Sequence, residues 1–263
     1  METAVVGPTG ARKRLRIATN DELLRSDEGD AGAAARHARS ATFNELTPDK
    51  PDVPGLSSGL SPWTGGRIWE SSRHLADYLA ALGKDDWGRT RVVELGAGCG
   101  LVGLTCAALG AAEVVLTDQV LHVAQVNADR NFTGAERERI ALQPLRWGDA
   151  ADIAAVKGGQ GRAFDLIAAS DVLYNVESHD ALAETMAALS TPGTVVLLCT
   201  PDGSPTFPHQ FNTGSVRFYD RMRELGFDCD DITAEAGIAS EVDFRGPVSL
   251  ARMTMTRGGG CRL

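Results

Sequence analysis

The stretch VVELGAGCGLVGL, residues 92–104, sets four glycines and one carboxylate inside an otherwise apolar run. An apolar strand that runs into glycines and then into a helix brings bare backbone, and the free N–H groups of a helix N-terminus, up to a ligand. The spacing narrows which ligand. A dinucleotide fingerprint needs G-x-G-x-x-G, but Gly96, Gly98 and Gly100 run G-x-G-x-G, and Leu101 stands where the third glycine belongs. A phosphate-binding P-loop needs lysine and a hydroxyl residue after the turn, and Leu101-Val102-Gly103 offers neither.

Working outward, short apolar runs alternate with helical patterns. TRVVELGAG, AEVVLTD, IALQPLRW, AFDLIAASD and GTVVLLCT read as strands, while LVGLTCAALG, VLHVAQVNADRN, SHDALAETMAALS and SVRFYDRMRELG read as helices. Ahead of them, Leu75, Tyr78, Leu79 and Leu82 fall at i, i+3, i+4 and i+7, predicting an amphipathic helix that stops at Gly83. Two further strands are expected near DCDDITAE and PVSLARMTMT. This alternation predicts an α/β fold, a doubly wound parallel sheet with helices on both faces. Ligands of such sheets bind at the carboxyl ends of the strands, which directs attention to Gly96–Gly100, Asp118, Trp147 and Ser170–Tyr174.

Two carboxylates refine the ligand. Glu94 at the mouth of the turn would repel a pyrophosphate and complement a cofactor carrying an ammonium and a sulfonium. Asp118, ending the next strand, has acceptor capacity for both hydroxyls of a ribose. Together with the turn they point to S-adenosylmethionine. The competing reading makes the turn a tight connection and Asp118 a helix cap.

Residues 1–60 mix charges, an Ala-rich patch and a Pro/Ser/Gly stretch from Pro48 to Pro62, and are expected to be a largely disordered extension with one short strand near SATFNEL. Residues 61–257 then form the folded domain and 258–263 a disordered tail. A net charge of -9 disfavours duplex nucleic acid as a partner, because such binders need a basic face to displace counterions. The cysteines, Cys99, Cys106, Cys199, Cys229 and Cys261, show no C-x-x-C and no zinc spacing with histidine, so reduced thiols in the cytoplasm and no metal site are expected. No apolar run reaches the roughly 18 residues of a membrane span and no signal peptide is recognisable. The Arg-rich GARKRLRIATN leaves a nuclear or organellar address open. Nothing marks an oligomerisation segment, and a monomer is expected.

GGRIWESSRHLADYL, the glycine turn, LRW with its following glycine, and FDLIAASDVLY together resemble the class I, seven-strand S-adenosylmethionine-dependent methyltransferases, and within them the family that methylates lysines of non-histone proteins. The resemblance spans roughly residues 63–200. It implies a Rossmann-like seven-stranded sheet and a protein substrate of the chaperone, AAA ATPase or translation factor class. It also implies cofactor-binding roles for Trp69, Gly96, Ala97, Gly98, Asp118, Trp147 and Ser170, beside Glu94. Taken apart from the resemblance, Trp69 and Trp147 read as ordinary core aromatics.

Asp171-Val172-Leu173-Tyr174 matches the D-x-x-Y that this family carries at the end of strand four. Amino-methyltransferases of nucleic acids have two prolines where Val172 and Leu173 stand, and the difference favours an aliphatic amine. Asp171, of a residue type with ordinary pKa near 3.9, is a poor base for lysine and is assigned to orient the amine, with Tyr174 aiming it. The bland alternative makes Asp171 a loop cap and Tyr174 a packed aromatic. The loop from Pro201 to Ser215 is expected to meet the substrate. Other acceptors (histidine, arginine, a small molecule, RNA) and an inactive interaction module are the alternatives.

Overall fold

A computed structural model describes residues 2–6, 12–19, 22, 64–82, 86–158, 163–201, 213–238, 242–243 and 246–256. In chain order these form β1 (Glu2–Val6), β2 (Arg12–Arg16), a 3-10 turn (Thr64–Gly66), α1 (Glu70–Ala81), β3 (Arg91–Leu95), α2 (Leu101–Ala108), β4 (Glu113–Asp118) and α3 (His122–Asn131). There follow a short α4 (Gly134–Glu138), β5 (Ile140–Pro144), α5 (Ala150–Lys157), β6 (Leu166–Ser170), α6 (His179–Leu189) and β7 (Val195–Pro201). The chain closes with α7 (Thr213–Glu224), β8 (Phe227–Asp231), β9 (Val242–Asp243) and β10 (Gly246–Met255).

Seven strands lie in the order β5-β4-β3-β6-β7-β10-β8, and β9 pairs with the start of β10. The pairs β4–β5, β3–β4, β3–β6 and β6–β7 are parallel, as crossover helices require. The expectation of a parallel sheet fails at one place. β10 threads between β7 and β8 antiparallel to both. Among the described residues between β8 and β10 no crossover helix occurs, so the chain turns back on itself.

Every residue of β3 is buried, yet successive residues serve opposite faces. Val92 joins the core of α1, α2 and α3, with Leu75, Leu79, Leu104, Val123 and Leu116. Val93 and Leu95 join the core of α5, α6 and α7, with Leu182, Met186, Phe218 and Met222. Complete burial of one such Leu or Val side chain stabilises the fold by roughly 1.5–3 kcal/mol, which is why a continuous apolar run suits a two-faced strand. The stripe of α1 differs from expectation at one end. Leu75 and Leu79 are buried with Ser71 and Ala76, whereas Leu82 is 43% exposed, because the helix stops at Ala81 before that position turns inward.

The extension also differs from expectation at its start. β1 and β2 form an antiparallel pair with Glu2 opposite Arg16 and Val6 opposite Arg12. Leu15, Ile17 and Ala18 are buried in the core of α1, α2 and α3. Lys13 pairs with Glu136 and lies 4.0 Å over the ring of Phe132. The strand expected at SATFNEL, the helix stop at Gly83, Cys261, the tail at 258–263 and residues 202–212 of the expected substrate loop lie outside the described residues. No helix among the described residues is long and apolar enough to cross a membrane.

Candidate active site

The carboxyl ends of β4, β3 and β6 lie side by side, with β4 and β6 on opposite flanks of β3. The strand order reverses here, the position at which open sheets of this kind bind their ligands. The glycine turn fills the middle of that edge.

Gly96 and Gly98 have φ of 68° and 52°, the left-handed region that costs an L side chain about 1–2 kcal/mol. They also permit close approach. A Cβ on Gly96 would lie 2.8 Å from Val172 Cγ1 and 3.5 Å from the Trp147 indole. One on Gly98 would lie 2.7 Å from the carbonyl oxygen of Gly65. Absent side chains thus let the Thr64–Gly66 turn, Trp147 and the loop after β6 close around residues 96–98. The turn is latched to β4 by Ala97 N–H donating to the Thr117 carbonyl at 2.8 Å, and Gly100 N–H donates to the Ala97 carbonyl at 2.6 Å.

Glu94 is 2% exposed. Its Oε2 accepts the Gly103 N–H at 2.8 Å, near the start of α2, where Gly100 in the N-cap position has no side chain to offer. Burial pushes this carboxyl up to about 8; the Gly103 amide opposes the shift, the charge of Asp118 adds to it and the Val102 amide opposes it. From the sequence Glu94 is expected to complement the cofactor's cationic groups; in the structure its Oε2 meets the Gly103 amide. The strand-to-helix reversal tucks its carboxylate beneath α2, so it shapes the turn from behind.

Asp118 ends β4 half-buried. Its Oδ2 accepts the Gly98 N–H at 2.9 Å and its Oδ1 the Val120 N–H at 3.2 Å. Burial pushes its carboxyl up, against the amides of Gly98, Val120 and Gln119. Leu121, not Asp118, occupies the N-cap of α3, so the helix-cap reading does not apply.

Trp69 and Trp147 are half-buried rather than enclosed. Trp69 stands at the N-cap of α1, where its indole N–H donates to the Thr64 carbonyl at 3.1 Å and the Arg67 guanidinium lies 5.4 Å from the ring centroid. Trp147 packs on the edge of the α5–α7 core beside Gly96. Ser170, half-buried, is the last residue of β6, opposite Cys199.

Beyond Ser170 the chain turns sharply. Asp171 has φ of 60°, the one positive value outside glycine among the described residues, and its N–H donates to the Cys199 carbonyl at 2.9 Å. Such a conformation persists only where its surroundings hold it. Val172 and Leu173 are the anchors, both buried in the α5–α7 core. Tyr174 is left 68% exposed, so it is not a packed aromatic. Asp171 itself is 8% exposed.

Sequence reasoning missed three parts of this site. His179, fully buried as the first residue of α6, places Nε2 3.1 Å from the Leu173 carbonyl and sets its ring edge-on to Phe218. Gly65 packs on the glycine turn. Asn127, also fully buried, reaches the same turn from α3. A polar residue on the apolar face of a helix was the available signal for Asn127.

The family model described as lysine methyltransferase matches residues 58–211. A Cryptococcus neoformans protein named protein N-terminal and lysine N-methyltransferase EFM7 is 35% identical over 137 residues, 51% of this chain and 46% of that protein. Protein N-lysine methyltransferase METTL21A of Danio rerio is 37% identical over 133 residues, 50% of this chain and 58% of that protein. The chain thus spans about half the length of these curated relatives. The solved structure of an O-methyltransferase family protein from Burkholderia thailandensis superposes with a TM-score of 0.50 at 13% identity, covering 91% of this chain and 64% of that one, a likeness of fold.

Proposed function

The chain belongs to the lysine methyltransferase family, and from that premise we propose that it transfers the methyl group of S-adenosylmethionine to the side-chain amine of a lysine in another protein. The observation that carries this reading is the closure of Trp147 and the Asp171–Tyr174 loop on the glycine turn, with Asp118 alongside. That donor set suits a sulfonium nucleoside: bare backbone and aromatic faces for its body, a carboxylate for a ribose, and no lysine or P-loop hydroxyl for phosphate.

In this reading Asp118 holds the ribose, the backbone of Gly96, Ala97 and Gly98 the methionine part, Trp69 and Trp147 pack on the cofactor, and Ser170 closes the pocket beneath the adenine. The cofactor supplies an electrophilic methyl on a leaving group that departs readily. The protein's task is alignment and management of the amine's proton. A free lysine of pKa about 10.4 is neutral about once in a thousand at pH 7.4, a cost of roughly 4 kcal/mol. Desolvation and the neighbouring sulfonium charge lower that pKa. Asp171 orients the amine as hydrogen-bond acceptor, the exposed Tyr174 aims it, and the proton leaves to water.

A second reading rests on the Cryptococcus relative, whose name couples lysine with a protein N-terminus. An α-amine, with pKa near 7.7–8.0, is the same nucleophile more often neutral. The protein substrate is sought among chaperones, AAA ATPases and translation factors, the classes the family resemblance implies, in the cytoplasm. The test is incubation with methyl-labelled S-adenosylmethionine and a lysate, then mass spectrometry of labelled species. Label on lysine in protein supports the proposal; label in RNA or small metabolites overturns it.

A further inference from the structure

Residues 16–18 run beside α3 and are held there by two side-chain amides one helical turn apart. The Arg16 N–H donates to Asn131 Oδ1 at 2.7 Å, and Asn131 Nδ2 donates back to the Arg16 carbonyl at 3.0 Å. Likewise the Ala18 N–H donates to Asn127 Oδ1 at 2.8 Å, and Asn127 Nδ2 donates to the Ala18 carbonyl at 2.9 Å. Each asparagine meets a peptide group as a neighbouring strand would, with one donor and one acceptor. Asn127 spends its second Nδ2 hydrogen on the Cys99 carbonyl at 2.9 Å. Cys99 lies between Gly98, whose N–H goes to Asp118, and Gly100, the N-cap of α2.

The segment 96–100 is rich in glycine and loses much conformational freedom when ordered, so its geometry depends on outside ties. Ala97 is tied to β4 and Gly98 to Asp118. The Cys99 tie runs through Asn127, which is itself positioned by residues 16–18, the end of β2 and the segment after it. We propose that this N-terminal strand is a working part of the cofactor site: Asn127 is a positioning residue that transmits its docking to the glycine turn, so that affinity for S-adenosylmethionine depends on how firmly residues 12–19 are seated. The proposal rests on the turn being the cofactor site.

The decisive variant is Asn131→Ala in the full chain. It removes both bonds to Arg16, together with the one that Asn131 Nδ2 donates to the Asn127 carbonyl at 2.8 Å, and leaves in place the side chain that reaches the turn. One lost hydrogen-bonded pairing corresponds to about a 3–10-fold change in an equilibrium. Calorimetric titration with S-adenosylmethionine, at a temperature where every variant is fully folded, should therefore show Kd raised about 3–10-fold for Asn131→Ala and about 10–100-fold for Asn127→Ala. Leu189→Ala, in the core on the other face of the sheet, is the control: it should lower Tm and leave Kd within about twofold. If Asn127→Ala does not fold, Asn131→Ala still decides. An unchanged Kd for Asn131→Ala, or an equal weakening in Leu189→Ala, overturns the proposal. No binding heat from the unaltered protein would instead overturn the cofactor assignment on which it rests.

Discussion

The carbonyl oxygen of Gly65 occupies the space that a side chain on Gly98 would need, 2.7 Å from where its Cβ would stand. The obstacle is backbone, and Gly98 has φ of 52°, so neither partner relaxes cheaply. Gly98→Ala should push the Thr64–Gly66 turn away and disturb the N–H that Asp118 accepts. Calorimetry should show cofactor affinity weakened at least about tenfold, with Tm lowered by several degrees. Gly193→Ala, also at positive φ but with open space around its Cβ, should leave the affinity unchanged.

Glu94 sets a pH dependence. Its carboxyl is pushed from an ordinary value near 4.5 up to about 8, so between those values the folded protein holds a proton that the unfolded chain releases. Its contribution to stability is fully present below the lower value, falls as pH rises toward about 8 and is spent above it. Over this window the effect is on the order of a few kcal/mol. Glu94→Gln keeps an oxygen for the Gly103 N–H but cannot ionise, and its Tm should fall less than that of the unaltered protein between pH 5 and pH 8. Burial of Asp118 leaves a residual slope of the same sign in both. Parallel Tm profiles would refute this role.

For Asp171 the informative substitution is asparagine, which accepts the left-handed backbone at φ of 60° with little penalty. Asp171→Asn removes the charge and turns one acceptor oxygen into an N–H donor facing the amine, so it should keep cofactor Kd within about twofold while transfer of labelled methyl falls at least about 100-fold, the scale of losing orientation at the reacting centre. Full transfer with intact binding would remove Asp171 from the mechanism.

Tyr219 lies fully buried in α7, and its hydroxyl has no hydrogen-bond partner among the described residues. Burying an unpaired hydroxyl is costly, so Tyr219→Phe should stabilise the fold by about 1 kcal/mol, or roughly 2–4 °C in Tm. A lower Tm on thermal unfolding would show that the hydroxyl is paired.

The central sheet was legible because β3, β4, β6 and β7 are buried on both faces and therefore continuous apolar runs, each followed by a helical pattern. β10 was legible as a strand but not in direction, since pairing antiparallel to β7 leaves no local mark. At the site, Gly96, Gly98, Asp118 and Asp171 announce themselves by residue type and place at strand ends. Glu94 does too, but strand periodicity does not reveal that α2 folds back over its carboxylate. The N-terminal strand escaped because its anchors, Asn127 and Asn131, stand more than a hundred residues away in sequence. His179 escaped for a related reason, since its bond to the Leu173 carbonyl exists only once the loop after β6 has turned.

The most direct measurement is amino-acid analysis of a protein incubated with this chain and methyl-labelled S-adenosylmethionine, after complete hydrolysis. The expected result is label in ε-N-methylated lysine, reduced at least about 100-fold when the Asp171→Asn variant replaces the unaltered protein. Label confined to methylhistidine, methylarginine or an N-terminal α-amine, or equal labelling with both proteins, would contradict it.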